Sequence, residues 1–341
     1  MVLALGPLLM GAAVAAVPAP SPECAVDDSR LDELSGMVVH DGDLWAMGDG
    51  GRRVQVHRLD RSSCAVVDTR TADVDPYDAE DLAVGPDGAL WVGDTGDNER
   101  GRDTVAVVVL PRRGDARLHR LTYPDGPHDA EALLVDASGR PFVVTKEVGR
   151  PAGLYRTADP PDGVGPTPLL RVGELALPAS DTLGGPVGGI GSRVVTGAAM
   201  SADGAVVAVR TYTDAWLFPV QDGDLVAALN ETPVRVPLPD EPQGEAIAFD
   251  DDGTLLSGSE TRGGVLGEIR AVPEATAMAG APTPVGTRPV DTSGTGAPPP
   301  GSDLAADPGP PDWLPAALGG VVVVGVLLLL SAAAALRGRR R

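Results

Sequence analysis

Residues 80–94 read EDLAVGPDGALWVGD. An apolar run leads into Asp87-Gly88, and a second apolar run follows it. Asp-Gly between two apolar runs favours a tight turn with positive φ at its centre, so the stretch predicts a β-hairpin. The pattern recurs as SGMVVHDGDLWAMGD from residue 35, EALLVDASGRPFVVTKE from 131, TGAAMSADGAVVAVR from 196 and EAIAFDDDGTLLSGSE from 245.

The spacing of these hairpins indicates an architecture. They begin at residues 35, 80, 131, 196 and 245, so the steps are 45, 51, 65 and 49 residues. A repeat of about 40–50 residues is typical of one four-stranded propeller blade. We therefore predict an all-β protein, a β-propeller of five blades. Six blades remain open if the longest step, with its Gly- and Pro-rich stretch 181–191, contains a degenerate blade. A β-sandwich is the other open architecture.

The last repeat ends in GEIRAV and lacks an outer strand. Residues 23–26 can supply that strand and close the ring, which removes exposed sheet edges. Closure would bring Cys24, on the last blade, close to Cys64 on the first. Since these are the two cysteines of the chain, we predict a Cys24–Cys64 disulfide, as expected for an exported protein.

Composition excludes other classes. The 341 residues include 48 Asp plus Glu against 27 Lys plus Arg, a net charge of -21. So acidic a chain is a poor nucleic-acid binder because phosphates would be repelled. The 44 Gly and 33 Pro argue against a helical bundle. The 43% apolar content is too high for a wholly disordered chain.

The two ends of the chain predict export and anchoring. Residues 1–19 read as a signal peptide, and 23–271 are the propeller ectodomain. Residues 272–312 are a Pro- and Gly-rich stalk, since such a composition buries too little apolar surface to fold. Residues 314–336 carry no charge and are long enough for a transmembrane helix. The arginine-rich tail 337–341 should stay in the cytoplasm by the positive-inside rule.

These segments predict a single-pass protein of the cell membrane, with the propeller outside and the C-terminus in the cytoplasm. The partners expected are the membrane, through the C-terminal helix, and an unidentified extracellular ligand or protein.

Hairpin geometry predicts where the polar groups gather. The first residue of the inner strand and the last residue of the second strand lie at the same end of each hairpin. In a propeller these ends surround one mouth of the central channel. Carboxylates this close repel one another unless a cation lies between them, and Ca²⁺ binds several carboxylate oxygens at once. The predicted metal ligands are Glu80, Asp81, Asp94, Asp97, Glu131, Glu245 and Glu260.

The same mouth receives two cationic side chains, Lys146 and Arg210, which are the predicted ligand-binding residues. Lys146 is the single lysine of the chain. As a point charge it can bind phosphate or carboxylate, or it can form a salt bridge with Glu131 or Glu147. A structural alternative stays open for the acids too, because they can cap strands, bond backbone amides or pair with these two cations.

The strings DAEDLAVGPDGALWVGDTGDN, DAEALLVDASGRPFVVTKE and QGEAIAFDDDGTLLSGSE resemble secreted bacterial propellers of the phytase-like group, also called esterase-like phytases. The likeness covers roughly residues 30–270. It implies calcium at an acidic channel mouth that binds substrate phosphates. The resemblance places Glu80, Asp94, Asp97, Glu131, Glu245 and Glu260 in that role.

Two functions follow from these patterns. The first is a membrane-anchored binding or interaction module whose acidic mouth holds calcium. The alternative is a calcium-dependent phosphoric ester hydrolase of the phytase-like kind, in which the metal would bind phosphate and activate a water molecule.

Overall fold

The computed structural model describes residues 17–280. The predicted membrane helix 314–336, the tail 337–341 and most of the predicted signal peptide and stalk lie outside this range. Across 17–280, no helix has both the length and the apolar character needed to span a bilayer.

The described chain is almost entirely β-structure. Two short α-helices, α1 (Leu225–Ala228) and α2 (Ala275–Gly280), and two 3₁₀ turns, Ser29–Leu31 and Gly188–Arg193, accompany the strands. The strands are β1 (Ser21–Val26), β2 (Leu34–His40), β3 (Asp43–Gly48), β4 (Val54–Leu59), β5 (Val66–Ala72), β6 (Asp81–Val84), β7 (Leu90–Asp94), β8 (Val105–Leu110), β9 (Arg117–Thr122), β10 (Ala130–Val135), β11 (Pro141–Thr145), β12 (Ala152–Thr157), β13 (Thr167–Leu175), β14 (Val195–Met200), β15 (Val206–Thr211), β16 (Asp214–Pro219), β17 (Val234–Pro237), β18 (Gly244–Phe249), β19 (Leu255–Ser259) and β20 (Gly267–Val272).

These strands form antiparallel units of four, in the chain order expected for propeller blades. The units are β2–β5, β6–β9, β10–β13, β14–β17, and β18–β20 completed by β1. The first strand of each unit contacts the first strand of the next, and β18 contacts β2. The prediction of an all-β, propeller-like protein is confirmed.

Apolar side chains fill the junctions between units. One buried cluster joins each unit to the next, and another, which includes Val26, Leu34 and Ile269, joins the last unit to the first. Burial of apolar surface stabilises the folded state by about 25 cal/mol per Å², so each junction between units contributes to the stability of the ring. The ring is thus held by packing between sheets as well as by strand pairing.

The N-terminal strand closes the ring as predicted. β1 pairs antiparallel with β20, with Cys24 opposite Ile269. Cys24 is disulfide-bonded to Cys64, with their Cα atoms 5.7 Å apart, which confirms the predicted pairing. Cys64 lies in the turn before β5, at a positive φ of 55°, rather than on the outer strand itself.

One strand pairing was not anticipated. β13 pairs in parallel with β9, through Thr167 opposite Leu121 and Pro168 opposite Thr122, so two units merge into one eight-stranded sheet. The loop before β13 reaches across to β9, where His119 Nδ1 lies 2.6 Å from Gly163 O. The backbone N–H of Arg120 donates to Val164 O at 2.8 Å. These bonds pull the outer strands of neighbouring units together.

Two regions refine the predicted boundaries. Residues 181–191 form a loop that ends in the 3₁₀ turn at Gly188–Arg193, so the long third step holds no further strand there. Residues 272–280, assigned by composition to the beginning of the stalk, are folded. Val272 is buried at the end of β20, and α2 buries Ala275 and Ala279.

Asp81 ties three units together at the centre. Its side chain is fully buried, and Oδ2 accepts hydrogen bonds from the N–H groups of Leu133 at 2.8 Å and Ala198 at 3.1 Å. Oδ1 accepts from Leu82 N at 2.8 Å. One carboxylate on β6 therefore satisfies backbone donors on β10 and β14. Burial raises the pKa of Asp81, while these three backbone donors oppose the rise.

We expect Asp81→Asn to lower the free energy of unfolding by about 3 kcal/mol, because the amide nitrogen replaces one of the two accepting oxygens and leaves at least one buried donor unpaired. Urea denaturation measures the change. Asp115→Asn, at an exposed position between β8 and β9, is the matched control and should change stability little. A loss below about 1 kcal/mol in Asp81→Asn would contradict the role given to this side chain.

Candidate functional site

Irregularities in the inner strands aim side chains at one mouth of the ring. The register of β2, β10, β14 and β18 slips by one residue at their starts, which leaves Ser35, Glu131, Thr196 and Glu245 as the extra residues. A bulge of this kind re-aims the side chain that it carries. In the remaining unit, Glu80 lies directly before β6, and its N–H donates to Gly93 O at 2.8 Å. The repeat therefore delivers one side chain per unit to the same place.

The two hydroxyl residues at this position serve the structure. Ser35 Oγ donates to Glu80 O in the next unit. Thr196 Oγ1 donates to Gly244 O of the next unit at 3.0 Å. The acids of the other three units therefore supply the charge of the mouth at this position.

Two of these acids converge with a third. Oxygen atoms of Glu80, Asp129 and Glu131 all lie within 4.8 Å of one another. The three residues are nearly inaccessible, with exposed fractions of 4%, 6% and 2%. We call Glu80, Asp129 and Glu131 the acidic triad. Carboxylate oxygens in this number and arrangement suit a hard divalent cation.

The electrostatics of the acidic triad disfavour three bare negative charges. Burial, and then the Glu131 carboxylate, raise the pKa of Glu80 well above its ordinary value. Burial, and then Glu245, do the same for the pKa of Glu131. Glu131 Oε2 is also buried without a hydrogen-bond partner in the described part of the chain. A cation or a proton would satisfy this group.

Lys146 supplies one internal positive charge. Its ammonium forms an ion pair with Glu131, one of the two partners predicted for it. It also lies 5.7 Å from the centroid of the Tyr212 ring. Burial opposes the charged form of Lys146, but Glu131, Tyr212 and Glu245 together outweigh it and raise the pKa of the ammonium above its ordinary value. One ammonium balances one carboxylate and leaves the mouth acidic.

The other side of the mouth holds Glu245, Glu260 and Asp49. Gln243 Nε2 donates to Glu245 at 3.0 Å and to Glu260 at 2.8 Å, so the amide bridges two carboxyl groups. Burial, followed by the hydrogen bond and charge of Glu245, raises the pKa of Glu260 to about 10. Burial, then Glu33 and Glu245, raise the pKa of Asp49 to about 7.

Three of the predicted metal ligands, Asp81, Asp94 and Asp97, accept hydrogen bonds from the backbone. Asp81 lies in the centre of the ring, as described above. Asp94 Oδ1 accepts from the N–H groups of Tyr77 and Asp78 at 3.1 and 3.0 Å and pairs with Arg102 at 3.0 Å. Asp97 accepts from Gly101 N and Arg102 N, both at 2.9 Å. These bonds tie both carboxylates to the backbone of the loops around the mouth, so both shape those loops.

Arg210, predicted to bind a ligand, lies in the interior. Its side chain is fully buried, pairs with Glu241 and donates to Ser257 Oγ at 2.6 Å and Ala246 O at 3.0 Å. Burial lowers the pKa of its guanidinium to about 9. The bonds of Arg210 are therefore made in the interior, whereas the Lys146 side chain is 18% exposed at the mouth.

Sequence reasoning missed Asp129, Asp78 and Gln243. Each stands two residues before the acid of its repeat, as in Asp78-Ala79-Glu80 and Asp129-Ala130-Glu131. In an extended chain, residues two apart point to the same face, so the recurring triplet carried the signal. The loop after β7 packs tightly against these acids, since a Cβ on Gly96 would clash with the side chains of Glu80 and Asp78.

No protein-family model matches the chain, and no curated protein is recognisably similar to it in sequence. Several solved structures resemble the chain at low sequence identity. A gluconolactonase from Xanthomonas campestris is 18% identical, with 76% of this chain and 90% of that chain covered and a TM-score of 0.40. The PQQ-bound aldose sugar dehydrogenase from Streptomyces coelicolor is 12% identical, with coverage of 75% and 99% and a TM-score of 0.42.

A putative gluconolactonase is 14% identical, with 72% of this chain and 76% of that chain covered and a TM-score of 0.41. None of these three proteins is a phytase. Identities and TM-scores of this size carry no argument about chemistry, so the fold assignment rests on strand pairing and the site on its own geometry.

The raised pKa of Asp49 predicts a pH dependence of stability. An unfolded aspartate titrates near pH 4, and the folded one near 7. Between these values the folded state binds more protons, so stability must fall as pH rises, by at most about 1.4 kcal/mol per pH unit from this group. We expect the melting temperature in a chelating buffer to fall from pH 5 to pH 7, roughly the span set by these pKa values.

The matched variants are Asp49→Asn, which should make this slope shallower by at most about 1.4 kcal/mol per pH unit, and Asp115→Asn, which should keep it. Some slope should remain in Asp49→Asn, because the pKa values of Glu80, Glu131 and Glu260 are raised as well. An Asp49→Asn protein with the slope of the unmodified chain would contradict the assignment.

Proposed function

We propose that the chain is a five-bladed β-propeller that acts as a cell-surface binding module and holds Ca²⁺ at its acidic mouth. The observation that carries this proposal is the convergence of Glu80, Asp129 and Glu131 within 4.8 Å. The blade number is supported by the four-stranded units and by the contact of β18 with β2.

The donor set fits a hard cation. Calcium takes six to eight oxygen ligands, and carboxylates bind it through one or both oxygens. Glu131 contributes a buried oxygen that lacks a hydrogen-bond partner among the described residues. Asp129 keeps one oxygen for a ligand, because the other accepts a hydrogen bond from Asp97 N at 2.9 Å. Water and the ligand of the module would complete the coordination.

Lys146 sets the strength of this binding. Because its ammonium already pairs with Glu131, a cation must share that carboxylate or displace the lysine. The competition lowers affinity, and we place the dissociation constant in the weak range of extracellular calcium modules, about 10⁻⁴–10⁻³ M.

Calcium should therefore stabilise the protein. A ligand at a hundred times its dissociation constant raises the free energy of unfolding by about 2.7 kcal/mol if it binds only the folded state. We expect Ca²⁺ to raise the melting temperature of the unmodified protein but not that of Glu80→Gln or Asp129→Asn, because each variant removes a charged ligand. Asp115→Asn is the control and should respond like the unmodified chain.

Calorimetric titration gives the affinity in the same four proteins. Absence of any calcium response in the unmodified protein, or an equal response in Glu80→Gln, would refute the calcium site. Comparison with Mg²⁺ tests selectivity, since the smaller ion demands tighter octahedral geometry.

In the hydrolase alternative, the same cation takes part in the hydrolysis of a phosphoric ester. It is supported by the acidic triad itself, because a divalent cation held by Glu80, Asp129 and Glu131 could both bind a phosphate and activate a water molecule. Hydrolysis of a phosphate monoester that requires Ca²⁺ and disappears in Glu80→Gln would favour this alternative over simple binding.

A surface location is supported by the ends of the sequence and by the disulfide. Disulfides persist in oxidising compartments outside the cytosol. The described chain also leaves the ring opposite the acidic mouth. β20 begins at Gly267, after the mouth residue Glu260, and leads to α2, where Thr276 N donates to Gly253 O in the far turn at 3.2 Å. The last described residue, Gly280, therefore lies on the side of the ring away from the acidic mouth.

A further inference from the structure

A cleft beside the acidic triad has the features of an anion site. It has a volume of about 440 Å³, within the range of about 300–1,000 Å³ for small-molecule sites. It lies between the loop after β7 and the loop after β11. Its lining residues are Asn98, Arg100, Asp129, Lys146, Glu147, Val148 and Arg150.

Two arginines meet on one buried carboxylate in this cleft. Arg100 Nη2 and Arg150 Nε both donate to Glu147 Oε2 at 2.7 Å. Glu147 is 5% exposed, while the side chains of Arg100 and Arg150 are 41% and 55% exposed. Burial opposes the charge of Glu147, but hydrogen bonds from Arg150 and Arg100 outweigh it and lower its pKa. One carboxylate thus holds two guanidinium groups side by side, and the three groups together keep one net positive charge.

Most donors of this arginine pair remain available. A guanidinium carries five N–H donors, and each of the two uses one of them on Glu147. The planar fork of arginine matches a carboxylate or a phosphate in a bidentate geometry. Glu147 therefore fixes the position of the pair without saturating it.

The backbone is strained at the same place. Arg100 has a φ of 52°, in the left-handed region that costs a non-glycine residue about 1–2 kcal/mol. Asp97 stabilises this turn, because its O accepts from Arg100 N at 2.8 Å and its carboxylate accepts from Gly101 N and Arg102 N. Strain of this kind persists where the surrounding structure enforces it, often at ligand sites. The turn places the Arg100 side chain on Glu147.

The charges nearby select the class of anion. Asp129 lines the cleft, and Glu131 lies against Lys146 at its edge. Together with Glu147, these acids equal the three cations of the cleft in number, so attraction and repulsion of an anion nearly cancel. A dianionic phosphate then gains no compensation for its larger desolvation cost, which a singly charged carboxylate largely avoids. Val148 is 67% exposed at the rim and offers an apolar contact to a carbon skeleton.

We propose that this cleft is a carboxylate-binding subsite, in which Arg100 and Arg150 hold the acid group of a small organic monocarboxylate. This subsite gives the proposed binding module a ligand class. The biological role of the subsite rests on that proposed function, but the binding of a carboxylate does not. The arginine pair requires no bound cation, so the two proposals can fail separately.

The test is calorimetric titration of the protein with lactate, methyl lactate and inorganic phosphate at low salt, in a chelating buffer and again with Ca²⁺. We expect lactate to bind in both buffers, and methyl lactate, which lacks the charge, not to bind. Arg150→Gln and Arg100→Gln should each weaken lactate binding at least about tenfold, the effect of losing one charge-assisted hydrogen bond. Arg113→Gln, at an exposed position between β8 and β9, is the matched control and should bind normally.

Melting curves verify that each variant is folded. Undiminished lactate binding in folded Arg150→Gln and Arg100→Gln, or no lactate binding to the unmodified protein, would overturn the subsite. Tighter binding of phosphate than of lactate would overturn the ligand class. Lactate binding that persists in a protein with no calcium response would refute the calcium site and leave the subsite standing.

Discussion

The carboxylate of Asp81 is the interaction on which the rest of the structure depends. It lies at the centre of the ring and accepts backbone hydrogen bonds from β6, β10 and β14. Inner strands of a propeller leave donors that face the channel, where water has little access. Buried donors without partners are costly, so a single side chain that satisfies three of them fixes the spacing of three units. The acidic mouth is built on strands held in this way.

The bulge at the start of the inner strands turns this ring into a site. It brings one side chain per unit to the mouth, and the residue chosen there decides its use. Where the residue is Ser35 or Thr196, a hydroxyl bonds the next unit. Where it is Glu80, Glu131 or Glu245, charge accumulates. The mouth is consequently asymmetric, with the acidic triad and Lys146 on one side and the Gln243-bridged carboxyl groups on the other.

Much of the fold could be predicted because it is encoded locally and repeats. Asp-Gly turns and apolar alternation located the hairpins, and the missing outer strand of the last unit identified β1 and the disulfide partner of Cys24. The parallel pairing of β13 with β9 could not be predicted, since it depends on backbone carbonyls of Gly163 and Val164 that any sequence would possess. The short helix α2 was hidden in a stretch whose Ala and Gly content resembles a linker.

The site was predictable to the level of a shared mouth. Hairpin geometry brought Glu80, Glu131 and Lys146 together correctly, yet it could not tell a free carboxylate from a satisfied one. Asp81 follows Glu80 directly and so points to the other face of the strand, into the ring. Arg210 depends on Glu241, a partner outside the repeat pattern. Tertiary context of this kind decides whether a polar residue is a ligand or a support.

The central claim is that the acidic triad coordinates a divalent cation. The most direct measurement is a crystal structure of the protein soaked with a lanthanide as a calcium substitute, with anomalous diffraction to locate the ion. We expect an anomalous peak among the carboxylates of Glu80, Asp129 and Glu131, with the Lys146 ammonium shifted away from Glu131. A structure without a peak there, in which Lys146 still pairs with Glu131, would contradict the claim.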